Sequence, residues 1–241
     1  YHLSGMVRSA GSLDPVEGAQ LWVVNETYTF TATSDAEGTF YLPVIYDGSY
    51  EFTVGRWGWH TACPADLVID GADITDRVIE LEQGYADDFA LDLGWQVSST
   101  ASRGAWVRSI PVGTSLDDVP ANPAADVSND CRGYAFVTGN GGGTAGADDV
   151  DEGGTLLTSP LFDATEMEDP HVRYHHWFFD GEGNSVAPAG DAFVISLTDG
   201  ADTVAIETIT ATSGVMSSWI FSNIRIADHI APTTTMRLLA Y

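Results

Sequence analysis

The feature that most constrains this sequence is the spacing of its apolar residues. Almost nowhere do they recur every three or four positions, as the buried face of a helix requires. They alternate instead with polar residues over short runs, and Gly, Asp, Asn and Pro interrupt the runs. Successive residues of a strand face opposite sides of a sheet, so this pattern predicts an all-β chain. In GAQLWVV, alternation puts Ala19, Leu21 and Val23 on one face and Gln20 and Trp22 on the other. TSDAEGTFYLPV turns at Asp35–Gly38 and resumes a strand at Phe40 and Leu42. DGSYEFTV turns at Asp47–Gly48 and sets Tyr50, Phe52 and Val54 on one face.

The pattern has two blocks. LVIDGADITDRVIEL closes the first with two strands around Asp70–Gly71, and in GYADDFALDLGW aspartates break a weak apolar pattern. The boundary is placed there, giving domains 1–84 and 85–241. Short strands return in GAWVRSI, GYAFVTG, GTLLTSPLFD, PHVRYHHWFF, DAFVISLTD, DTVAIETITA, SSWIFSNIRIADHI and TTTMRLLAY. Long polar or Gly-rich loops, 111–131 and 138–154, separate some of them. Such strands with such loops suggest a jelly-roll sandwich. The expected fold class is therefore two tandem β-sandwiches. Strand-like residues at both ends lead us to expect a piece of a longer or processed protein.

Charge narrows the partners. The 241 residues carry 35 acids against nine bases, a net charge of -26, and every base is arginine. The excess is spread through both blocks, so it belongs to the whole surface. A polyanion is repelled, which argues against nucleic acid and anionic membrane surfaces, while divalent cations are attracted. No apolar run approaches the roughly 18 residues of a membrane span, so no membrane insertion is expected. The charge suits an extracellular protein in salt water, where ions screen self-repulsion, and equally a merely soluble one. Without lysine there is no phosphate-binding P-loop lysine, no Schiff base and no lysine isopeptide crosslink.

Two resemblances sharpen this reading. The stretches SGMV, DPVEGAQLWV and TFTATSDAEGTFYLPVIYDGSYEFTVGRWGW resemble the carboxypeptidase regulatory-like domain, a transthyretin-like sandwich, with Asp35, Gly38 and Gly48 at its turn positions. That likeness implies a non-catalytic module of secreted enzymes and surface proteins, with no site to carry over. The stretches DDFALDLGW, GAW, NDCRGYAFVTGNGGGTAGADDVDEGGTLLTSPLFD, DPHVRYHHWFF and WIFSNIRIADHI look like a MAM-like or galactose-binding-like jelly-roll module. Such modules stand beside peptidase domains in secreted bacterial proteins, many from Bacteroidetes-type bacteria with type IX secretion. This second likeness implies an adhesive or accessory role, often with structural calcium. It makes Asp87 and Asp88, at the entrance to the first strand of the second domain, the first expected calcium ligands.

The most conspicuous loop is GNGGGTAGADDVDEGG, residues 139–154. It has neither the lysine nor the following helix of a phosphate loop. Asp148, Asp149, Asp151 and Glu152 place four carboxylates within five residues, which repel unless water, salt or a hard cation intervenes. Calcium suits such oxygen ligands, so Asp148, Asp149 and Asp151 join the candidate metal residues; a solvated acidic loop is the alternative. Asp180, Glu182, Asn184 and Asp191 follow part of a twelve-residue calcium-loop spacing, but Ser185 stands where glycine is needed and the flanks read as strands. In HVRYHHWFF, alternation puts His171, Arg173, His175 and Trp177 on one face. Arg173 between the imidazoles disfavours zinc, so these residues are expected to fill the sandwich.

No nucleophile or metalloprotease motif is present, so no enzyme activity is expected of this chain. Cys63 and Cys131 show no zinc-ligand spacing; in a secreted protein they are expected to pair and clamp the two sandwiches, with two buried thiols as the alternative. The resulting expectation is a non-catalytic structural or adhesive segment of a larger secreted or cell-surface bacterial protein, stabilised by calcium. Its partners would be other domains of the same protein, with a polysaccharide or neighbouring subunits as further candidates. A carbohydrate-binding module, the accessory domains of a secreted peptidase and an extracellular filament subunit are the alternatives.

Overall fold

The computed structural model describes residues 1–127, 130–179, 191–210 and 217–241. The chain is all-β; the one helical element among the described residues is a 3-10 turn, Ile226–Asp228. It forms two compact units, Tyr1–Leu93 and Gly94–Tyr241. The segment 85–93, assigned by sequence to the second block, thus goes with the first unit. There Leu91 packs over Gly55, and the Gln20 amide donates to the Asp92 carbonyl at 2.9 Å.

The first unit contains β1 (Leu3–Ser9), β2 (Gln20–Val24), β3 (Thr29–Thr33), β4 (Thr39–Leu42), β5 (Gly48–Arg56), β6 (Trp59–Ala62), β7 (Leu67–Ile69) and β8 (Ile74–Leu81). One sheet has the order β4–β1–β8, with β1 antiparallel to β4 and parallel to β8. The other has the order β3–β2–β5–β6, and β7 pairs with β5. Alternation does the packing. Leu21 and Val23 from β2, and Tyr50, Phe52 and Val54 from β5, meet Leu3, Val7, Phe40, Ile79 and Leu81 of the other sheet in one core. Between β3 and β4 the Asp35 carboxylate accepts the Glu37 N–H at 3.1 Å and the Thr39 N–H at 2.7 Å. The Thr39 hydroxyl bond, then these N–H bonds, holds the Asp35 carboxyl below the usual carboxylate range.

The second unit contains β9 (Gln96–Ser99), β10 (Val107–Ser109), β11 (Ser115–Leu116), β12 (Val119–Pro120), β13 (Ala135–Val137), β14 (Thr155–Thr158), β15 (His171–His176), β16 (Ala192–Thr198), β17 (Thr203–Thr210), β18 (Ile220–Arg225) and β19 (Arg237–Ala240). A five-stranded sheet has the order β17–β16–β19–β14–β9, and β10–β13, β11–β12 and β15–β18 form pairs. The core holds Ile195 and Leu197 of β16, Ile206 and Ile209 of β17, Ile226 and Met236. Val172 and Tyr174 of β15 and Ile224 of β18 pack against it, so β15–β18 covers a face of the five-stranded sheet.

Three local features depart from the sequence pattern. β9 and the short β11–β12 hairpin were not marked by alternation. The apolar run through IFSNIRIADHI does not continue as a strand: β18 stops at Arg225, and Ile226 turns inward to the core through the 3-10 turn.

Candidate functional site

The acidic loop is built against a second segment of the same unit. An isolated β-bridge joins Arg103 to Asp151, and the Ser102 N–H donates to the Asp151 carbonyl at 2.9 Å. This brings the Arg103 guanidinium onto the Asp151 carboxylate, while its second terminal nitrogen donates to the Ala147 carbonyl at 3.2 Å. The Asp151 hydrogen bond, reinforced by the charges of Asp151, Asp149 and Asp148, raises the Arg103 pKa. Asp148 turns elsewhere and accepts the Gly141 N–H at 2.8 Å. Glycine is required at position 139, whose φ is +58° and where a Cβ would lie 2.5 Å from the Asp148 carbonyl oxygen.

A groove of about 340 Å³ lies beside this loop, lined by Gly104, Ala105, Val107, Ser109, Gly139, Asn140 and Asp148. Two of its polar side chains, Asn140 and Asp148, are already engaged. The Asn140 amide donates to the Ile110 carbonyl at 3.0 Å and accepts the Val112 N–H at 2.8 Å. Asn140 and Asp148 therefore act as struts for the glycine-rich backbone.

The expected calcium ligands Asp87, Asp88, Asp148 and Asp151 each meet a partner within the chain itself. Asp148 and Asp151 lie three positions apart in sequence but serve a backbone amide and a guanidinium. Asp87 and Asp88 lie in the first unit, where Asp87 accepts the Phe89 N–H at 2.8 Å and Asp88 the Ala90 N–H at 3.2 Å. Among the described residues, no group of three or more His, Cys, Asp or Glu side chains is placed to hold a metal ion. Arg103 supplies part of the positive charge that the loop requires, through its ion pair with Asp151. Asp180, Glu182 and Asn184 lie outside the described residues. Cys63 and Cys131, the two cysteines of the chain, are disulfide-bonded.

The strand HVRYHH also differs from expectation. Its inward residues are Val172, Tyr174 and His176; Arg173 and His175 are exposed rather than filling the sandwich. The reason is the alternation itself, which admits only one parity to the core. Inside, the Tyr174 hydroxyl donates to Glu207 of β17 at 2.6 Å, and the Ser222 hydroxyl of β18 donates to the same carboxylate at 3.0 Å. Burial, then the Glu207 bond, raises the Tyr174 pKa, so the phenol remains a donor. His176 Nδ1 lies 3.8 Å from Glu207, and its side chain is 7% exposed. Burial lowers the His176 pKa, against the opposing pull of Glu207. This cluster ties the two layers of the unit together through hydrogen bonds.

No family model matches the chain, and no curated protein matches it. Among solved structures it is similar to a DUF3823 family protein from Bacteroides ovatus, at 8% identity over 93% of this chain and 81% of that one, with a TM-score of 0.27. It is also similar to a DUF3823 family protein from Parabacteroides merdae, at 10% identity over 93% of this chain and 80% of that one, with a TM-score of 0.26. The Bacillus anthracis TIE protein is similar at 11% identity over 93% of this chain and 43% of that one, with a TM-score of 0.32. Likenesses at these scores carry no functional argument.

Proposed function

We propose that the chain is a non-catalytic structural or adhesive segment of a larger secreted or cell-surface bacterial protein. In this reading its first unit is a carboxypeptidase regulatory-like sandwich of the transthyretin type and its second a jelly roll. The observation that carries the proposal is where the polar side chains are spent. Asp35, Asp148, Asn140, Arg103 and Glu207 each bind the chain's own backbone or a structural partner. A reaction centre needs groups held ready for a substrate instead. The disulfide adds support, since such bonds persist in oxidising compartments outside the cytosol.

Antibody raised against the purified chain should label intact cells that produce it, and excess soluble chain should reduce attachment of those cells to their substratum. Labelling that requires permeabilised cells would overturn the proposal.

A further inference from the structure

The outward face of β15–β18 carries its side chains in an ordered series. The strand register pairs His171 with Arg225, Arg173 with Asn223, and His175 with Phe221. One step further, Trp177 and Trp219 meet edge to face, their ring centroids 5.9 Å apart. The tryptophans are fastened from the side, donating to the carbonyls of Ala121 at 2.6 Å and Ala125 at 3.0 Å. The face therefore runs from charged to aromatic, and its middle is open. Phe221 is 56% exposed, and its ring centroid lies 5.1 Å from that of His175.

The charges on this face are unequally satisfied. Arg225 binds Asp169 at 2.6 Å and Asp228 at 2.9 Å. His171 lies 2.9 Å from the Asn223 amide oxygen and 3.4 Å from Asp169. Arg173 is held only through its Nε, which donates to that Asn223 oxygen at 3.4 Å, and it forms no ion pair among the described residues. In a chain with 35 acids and nine arginines, an exposed guanidinium so oriented is set to receive a carboxylate from elsewhere.

We infer that this face binds an acidic sugar unit of a polysaccharide. The sugar ring would lie on Phe221 and His175, its carboxylate on Arg173 and its hydroxyls on the Asn223 amide. Cross-strand pairs on one face are spaced at about 7 Å, so adjacent pairs can engage one ring and its substituent. A single unpaired arginine suits a sparsely charged glycan; a dense polyanion would meet the net charge of -26. An extended peptide gains most from pairing along a strand edge, whereas these groups stand on the sheet face. The inference rests on the adhesive reading and names its ligand.

The test is calorimetric titration of the disulfide-intact chain with three probes. These are a xylo-oligosaccharide bearing one glucuronic acid branch, the same oligosaccharide unbranched, and a poly-aspartate peptide. The acidic sugar should bind about tenfold more tightly than the neutral one. Arg173→Ala should erase that preference, and Phe221→Ala should weaken both sugars by about tenfold, with both variants melting like the parent. Three results would overturn the inference: no heat from the acidic sugar up to about 10 mM, equal binding by parent and variants, or poly-aspartate binding as tightly as the acidic sugar. Surface labelling of cells in the absence of sugar binding would remove this inference and leave the adhesive reading standing.

Discussion

Gly139 and His176 show how single residues carry this fold. At Gly139 the backbone is left-handed and closely covered by the Asp148 carbonyl. Gly139→Ala should cost the second unit about 1–2 kcal/mol, read as a lower denaturant midpoint with an unchanged slope. His176 sets a pH response. Its native pKa lies below the ordinary value of 6.5, so the unfolded chain takes up the proton first. Its contribution is complete above pH 6.5 and declines as the pH falls from there to the native pKa, at no more than about 1.4 kcal/mol per pH unit. Comparing His176→Gln with the parent by denaturant unfolding between about pH 7 and 5 should show a flatter profile for the variant. At this scale the sequence was only half legible. The cluster Asp148, Asp149 and Asp151 stood out, but its neutralising partner Arg103 did not. They are joined by a β-bridge and side-chain bonds between distant segments, and no local spacing announces such a join.

Strands differ in how fully they are held. β1, β2, β5, β14, β16 and β19 are paired along both edges, whereas β11–β12 is a two-residue hairpin with exposed or half-exposed residues. Amide exchange should therefore be slowest in the doubly paired strands and fast in Ser115–Pro120; equal protection throughout would contradict this. The strands of the first unit were legible because their alternation is clean, as in Leu21 and Val23 or Tyr50, Phe52 and Val54. In β15 the same alternation was visible, but it could not say which parity faces inward. Histidines occupy both faces, with Arg173 on one and Tyr174 on the other, so hydrophobicity did not choose between them. That ambiguity hid the Arg173–Asn223 and His175–Phe221 pairs, which also need the register with β18.

For the molecule as a whole, covalent closure and charge dominate. Since neither cysteine is free, thermal melting with reductant should give a lower midpoint than without it. The net charge of -26 predicts that added sodium chloride raises the melting temperature, because screening relieves self-repulsion. Because Arg103 already pairs with Asp151, a chelator at constant ionic strength should leave the midpoint unchanged. A fall reversed specifically by calcium would contradict the ligand assignments at Asp148 and Asp151.

The position of β19 bears on how the chain is made. It lies between β14 and β16, near the middle of the five-stranded sheet, although it is the last strand in sequence. As the chain emerges in N-to-C order, the second unit can collapse early but cannot complete that sheet until residue 240 is out. The first unit has all its strands once residue 81 is out. Emergence therefore has two stages: an early domain that can fold while the rest of the chain is still arriving, and a later one whose strands β14 and β16 must wait unjoined for their common neighbour. That interval is the chain's period of greatest exposure to mispairing, and a chaperone would act most usefully there.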